Sequence, residues 1–163
     1  MLAKSLLLTL CATASTVVAT TDIIHFLYAT DSYSDIQGAG SGYSAGFTLT
    51  DNDGNTIYNN ADPGGYAPCM DNSEKVQYTS DCFTGTWTFG CESAFDGSPK
   101  LCSAYDPDGT AYPGKAKESL DFIGISAGIT GTCSGEVTIP GNTCTSDSTF
   151  KVVKRYRGNY KSV

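Results

Sequence analysis

Cysteine placement constrains this chain most. Cys69, Cys82, Cys91, Cys102, Cys133 and Cys144 stand at gaps of twelve, eight, ten, thirty and ten residues, while Cys11 lies in an N-terminal apolar run. That run has the order of a secretion signal. Lys4 supplies the positive start, Leu6 to Ala12 is apolar but too short to span a bilayer, and Val17-Val18-Ala19 offers cleavage after Ala19. Residues 1–19 are expected to leave as a signal peptide, taking Cys11 with them. Six cysteines in an exported chain then read as three disulfides, because an oxidising compartment leaves few free thiols. Zinc is disfavoured, since it needs close C-x2-C pairs and the chain holds one histidine, His25. Six cysteines allow fifteen pairings, and spacing does not choose among them. Cys133–Cys144 is the favoured single pair: both follow the long gap, and Gly135, Pro140 and Gly141 let the chain return.

Removing 19 of 163 residues leaves 144, enough for one domain with a core and too few for two. No later stretch approaches membrane-span length, and the polar, basic C-terminus lacks the apolar tail of a lipid anchor. Residues 20–163 are therefore expected to form a single secreted, extracellular β domain. Its charge is uneven. Seventeen acids between residues 20 and 150 face only Lys75, Lys100, Lys115 and Lys117, whereas Lys151, Lys154, Arg155, Arg157 and Lys161 occupy 151–163 with no acid. The acidic body argues against nucleic acid as a partner, and the basic C-terminal segment 151–163 pairs with that body or reaches for an anionic partner. Lys154-Arg155 is also a dibasic pair of the kind cut during secretory processing, although a strand there protects it.

Short apolar runs separated by turn chemistry predict an all-β fold, a disulfide-stapled β-sandwich or small β-barrel. Asp22–Ala29 is nearly continuous in apolar residues and reads as a central strand. Tyr43–Thr50 alternates, with Tyr43, Ala45, Phe47 and Leu49 sharing a face. It enters Asp51-Asn52-Asp53-Gly54-Asn55 and returns through Thr56-Ile57-Tyr58, a hairpin signal. Asp106-Pro107-Asp108-Gly109 is a second turn, with Pro107 presetting φ and Gly109 suited to a left-handed position. Further strands are expected at Val76–Thr79, Thr84–Phe89, Leu101–Tyr105, Leu120–Ser126, Val137–Ile139 and Thr149–Tyr156. Lys115–Leu120 is the one stretch able to start a helical turn, and it is too short to matter.

Motifs that suggest chemistry have plainer readings. The glycine run Gly38–Gly46 resembles a phosphate loop, but a strand follows it where a helix N-terminus is required, so it reads as a flexible connection. No cofactor is implied. The two Asp-rich turns invite calcium, yet in the EF-hand register the first ligand would be Leu49 and no Glu stands at position twelve. His25 lies in an apolar run, no G-x-S-x-G elbow exists, and the cysteines are committed to bridges, so no catalytic residue is assigned. Glu74, Glu92, Glu118 and Glu136, with the aspartates, leave open a small hydrolase that cuts glycosides between paired carboxylates. Trp87 and Phe89 alternate toward one face, as core packing or as a sugar platform. Asn142-Thr143-Cys144 is a cysteine variant of a glycosylation site.

Signal peptide, acidic one-domain body, six cysteines and dense Gly/Ser/Thr/Tyr strands resemble the fungal small secreted cysteine-rich proteins of effector or allergen type. Phe89-Gly90-Cys91 and Gly135-Glu136-Val137-Thr138-Ile139-Pro140 before Cys144 make the chain similar to the Alternaria-allergen-like β-barrel family. The basic end and the cysteine spacing depart from that family's pattern. The resemblance implies a virulence or immune-modulating role outside the host cell through binding a host protein, and the lack of a catalytic motif makes a non-enzymatic role the expectation. The expected function is thus extracellular recognition of a host protein or cell-wall glycan. Loops 59–71 and 93–100 are its contact candidates. A carbohydrate-active hydrolase and a structural cell-wall protein are the alternatives.

Overall fold

A computed structural model describes residues 21–35, 41–65, 68–69, 74–94, 98–123, 126–140 and 144–156. The cleavage position at Ala19 and the residues Gly38, Ala39 and Gly40 lie outside them. The ten strands are β1 (Thr21–Asp35), β2 (Ser41–Thr50), β3 (Thr56–Asn60), β4 (Glu74–Ser80), β5 (Phe83–Ser93), β6 (Pro99–Tyr105), β7 (Ala111–Pro113), β8 (Lys115–Ile123), β9 (Ser126–Pro140) and β10 (Phe150–Tyr156). They form two five-stranded antiparallel sheets, β3-β2-β1-β9-β8 and β10-β4-β5-β6-β7, packed as a sandwich. None of the described residues forms a helix long and apolar enough to cross a membrane.

Alternation decides which side chains face inward. On β1, Ile24, Phe26, Tyr28 and Thr30 are buried, while Leu27, Ala29 and Asp31 are exposed and His25 is half-buried. Phe47 and Leu49 on β2, Val76 and Tyr78 on β4, Trp87 and Phe89 on β5, and Val137 and Ile139 on β9 complete the filling. Phe47 is its hub, with ring centroids 4.7 Å from Tyr28, 5.2 Å from Phe89 and 5.7 Å from Tyr78. Such pairs favour offset or edge geometry, which lets aromatic rings set the spacing between the sheets. Gly135, directly across from Phe26, makes room for that ring: a Cβ there would lie 2.8 Å from Phe26 Cε1.

Three sequence expectations change. The expected strand Leu120–Ser126 is divided between two: Lys115–Leu120 opens β8, which ends at Ile123, and β9 begins at Ser126, the two pairing from Lys115↔Ser134 to Ile123↔Ser126. A neighbouring strand supplies the backbone partners of Lys115–Leu120 at once, whereas an isolated helical turn pays a nucleation cost. The end of the glycine run is likewise strand rather than connection, since Ser41–Gly46 pairs with β1 down to Ser34↔Ser41. Finally, the bridges are Cys69–Cys91, Cys82–Cys144 and Cys102–Cys133. The favoured Cys133–Cys144 pair is therefore wrong. Cys133 sits mid-strand on β9 with its side chain toward the opposite sheet, where β6 brings Cys102, while Cys144 lies beyond the strand's end.

Each bridge has a distinct task. Cys102–Cys133 joins the two sheets. Cys69–Cys91 ties the loop after β3 to β5, and Cys69 itself takes a left-handed φ of 63°. Cys82–Cys144 holds the approach to β10 against the β4–β5 turn. Two carboxylates reinforce it: Asp22 Oδ2 accepts the Cys144 N–H at 2.9 Å, and Asp81 accepts the N–H and hydroxyl of Thr149 at 3.0 and 2.7 Å. These contacts deliver β10 to its place beside β4.

Loop-closure entropy ranks the bridges by sequence separation, 62 residues for Cys82–Cys144, 31 for Cys102–Cys133 and 22 for Cys69–Cys91. Replacing Cys82 and Cys144 by Ser should lower unfolding free energy by about 4 kcal/mol, against about 3 kcal/mol for the Cys69/Cys91 pair. Urea midpoints of the two double variants check the order.

Candidate functional site

The sequence's acidic candidates do not converge. Glu74 is buried at the start of β4 and ion-pairs with Arg155 of β10, their side chains 3% and 12% exposed. Glu92 is on β5, Glu118 is exposed on the edge strand β8, and Glu136 is exposed on β9. Lys154 and Arg155, the dibasic pair, both lie within β10 in register with Gln77 and Val76. Loop 59–71 packs inward over its described part: Pro63, Pro68 and Cys69 are buried, and Gly64 lies against Val152 and Arg155. In loop 93–100, Ser93, Ser98 and Pro99 are buried and the Ala94 N–H donates to Ser98 O at 2.8 Å. Both loops are anchored near cysteine bridges, which turns parts of them into core.

A cleft that the sequence did not assemble lies at one end of the sandwich. Thr84, Gly85 and Trp87 of β5, Asp106, Pro107 and Asp108 of the β6–β7 turn, Tyr112 of β7 and Thr138–Pro140 of β9 enclose about 530 Å³. Trp87, 3% exposed, forms its floor, and the half-buried Tyr112 ring stands 5.9 Å from it, tilted by 37°. Trp87 is a core residue, the reading its alternation with Phe89 favours: its buried indole packs against Phe83 and reaches the cleft only as part of its lining.

The acidic rim is built by turn chemistry. Asp106 Oδ1 accepts the N–H groups of Asp108 and Thr110 at 3.0 and 2.7 Å, its carbonyl accepts the Gly109 N–H, and Tyr112 donates its hydroxyl to Oδ2 at 3.4 Å. Desolvation works to raise the Asp106 pKa, but the hydrogen bonds from Thr110, Asp108 and Tyr112 outweigh it and hold the carboxyl below its ordinary range. Asp51 repeats the arrangement at the β2–β3 turn, accepting from Asp53 and Asn55. The hydrogen bond from the Asn55 side chain leads in lowering its pKa. Asp51 and Asp106, the leading carboxylates of the two Asp-rich turns, thus serve as turn acceptors. Gly85 brings β5 against this turn. Its φ is +78°, and a Cβ would meet Pro107 at 2.6 Å, so glycine is required twice over.

A second concavity, about 630 Å³, lies on the outer face of the first sheet, where His25, Thr50, Lys115, Ser134 and Glu136 gather. His25 is directly across from Glu136 on one side and Thr50 on the other. The two are 111 positions apart, so no local pattern announces them. Behind the core, burial first and the Glu74 carboxylate second push the Tyr28 phenol well above its ordinary pKa of 10.0. Burial, then the neighbouring Tyr58 and Tyr28, does the same to Tyr78.

No family model, no curated protein and no solved structure matches this chain.

Two outcomes follow from this geometry. Tyr28 and Tyr78 keep their protons in the folded protein when the unfolded chain loses them, so stability is full below pH 10 and falls as pH rises beyond it. The fall should be about 1.4 kcal/mol per pH unit for each such phenol. In alkaline urea titrations, Tyr78→Phe should make it shallower. Gly85→Ala forces a left-handed alanine into Pro107 and should cost about 2 kcal/mol, with the chemical shifts of 106–110 moving most.

Proposed function

We propose that this chain is a secreted, non-enzymatic recognition protein of the fungal effector type, and that it binds an uncharged cell-wall glycan in the Trp87–Tyr112 cleft. One observation carries the reading: an indole and a phenol line a pocket rimmed by two carboxylates and two threonine hydroxyls. Sugars present apolar C–H faces and a fringe of hydroxyl donors. Aromatic surface accommodates the first, and carboxylate acceptors form strong charge-assisted hydrogen bonds with the second. Asp106 and Asp108 repel uronates and other anionic sugars, which narrows the class to neutral pyranosides. The three bridges suit an oxidising, extracellular setting.

Hydrolysis is the weaker reading for this cleft. A glycosidase keeps one carboxyl protonated as its acid, with a raised pKa. Asp106 is held in the opposite direction and has one oxygen committed to the turn.

Titration calorimetry with neutral wall oligosaccharides, each four to six sugars long or about that, should show saturable binding without release of reducing ends. Tyr112→Ala should weaken it by about 10-fold, and Asp108→Asn should weaken it less. Failure of every neutral glycan to bind, or equal affinity for the Tyr112 variant, removes the reading. Steady reducing-sugar release would replace recognition by hydrolysis.

A further inference from the structure

The strand β10 closes one side of the second sheet, and among the described residues no strand pairs with its outer edge. An open edge is a row of backbone donors and acceptors ready for another strand, and proteins usually blunt it with charge. Lys151 and Lys154 are exposed on β10, but Val152 and Val153 beside them are 39% and 56% exposed. Two of the four exposed large apolar side chains among the described residues thus fall on this one short strand. The register with β4 shifts between Val152 and Lys154, leaving Val153 as the extra residue of a bulge.

Charge determines what can dock. A second copy pairing β10 to β10 would set Lys151 and Lys154 against the same lysines, an arrangement that like-charge repulsion opposes. The rest of the C-terminal segment is basic too, with Arg157 and Lys161 and no acid. An acidic strand meets the opposite situation. Arg155 is held by Glu74, so the strand's own anchoring does not use Lys151 or Lys154. Lys154 Nζ rests over the Tyr156 ring at 4.5 Å, which holds that ammonium at the sheet's edge.

We propose that β10 is a docking edge that takes up an extended acidic segment of another protein as a sixth strand of this sheet. Its carboxylates answer Lys151 and Lys154, and its apolar side chains cover Val152 and Val153. Backbone hydrogen bonds supply affinity and the side chains supply selectivity, the usual division in strand addition. None of the β10 residues lines the Trp87–Tyr112 cleft.

The test uses the folded protein and three labelled peptides that alternate valine or threonine with glutamate, glutamine or lysine. By fluorescence anisotropy the glutamate peptide should bind about 10-fold or more tighter than the glutamine one, and the lysine peptide should not bind. Raising salt from about 0.05 to 0.5 M should weaken binding several-fold. Hydrogen exchange at the β10 amides should slow on binding. The double variant Lys151→Glu/Lys154→Glu should lose the glutamate peptide and gain the lysine one, and Lys151→Gln/Lys154→Gln should lose only the former. Tyr112→Ala should leave peptide affinity intact. Equal binding of the glutamate and glutamine peptides overturns the proposal, as does protection on strands other than β10 or unchanged affinity in both double variants. A dimer of the free protein that the charge-reversed pair dissociates or strengthens would assign the edge to a second copy instead.

Discussion

The antiparallel pairing of β1 with β9 runs without a break from Thr21↔Pro140 to Asp35↔Ser126, and much else depends on it. A strand's side chains alternate with period two, so a slip of one residue would turn every inward group outward. With this register, Ile24, Phe26 and Tyr28 face the second sheet together with Val137, Ile139 and Cys133. Cys133 thereby meets Cys102, and the sandwich is closed covalently where its two halves face each other. The same register carries Thr138 and Ile139 to the cleft and sets His25 across from Glu136 on the outer face.

Between the sheets, aromatic rings do what branched aliphatics do in many sandwiches. Phe47 touches rings from both sheets, and Phe26, Tyr78 and Phe89 extend the contact. Rings of this size leave little slack, which explains why β9 carries glycine opposite Phe26. One charged pair enters this apolar setting. Glu74 and Arg155 link β4 to β10, and breaking a pair so far removed from water costs more than breaking an exposed one. The pair adds to the backbone pairing that makes β10 part of the sheet.

The cleft and the β10 edge arise from different physics. The cleft is a by-product of closing the sandwich: a left-handed glycine on β5 lets the aspartate turn and its proline approach closely beside an indole. Desolvated ring surface and carboxylate acceptors then meet in one small volume. The β10 edge owes its character to position, since the last strand of a sheet has backbone groups to offer and here has basic side chains around them.

Local patterns in the sequence determined a good deal. Alternation in Phe47 and Leu49 and in Trp87 and Phe89 marked strands and their inward faces, because period two is a property of each strand alone. Asp-x-Asp-Gly marked both tight turns, because their hydrogen bonds close within five residues. Six cysteines marked a bridged β domain. Tertiary structure alone decided which cysteines pair, that Lys115–Leu120 is a strand, and that Trp87, Asp106, Tyr112 and Ile139 share a cleft. Each of those outcomes depends on which strands lie side by side. Pairing energies between segments far apart in the chain leave no periodic trace within either segment, so only the folded arrangement brings them into view.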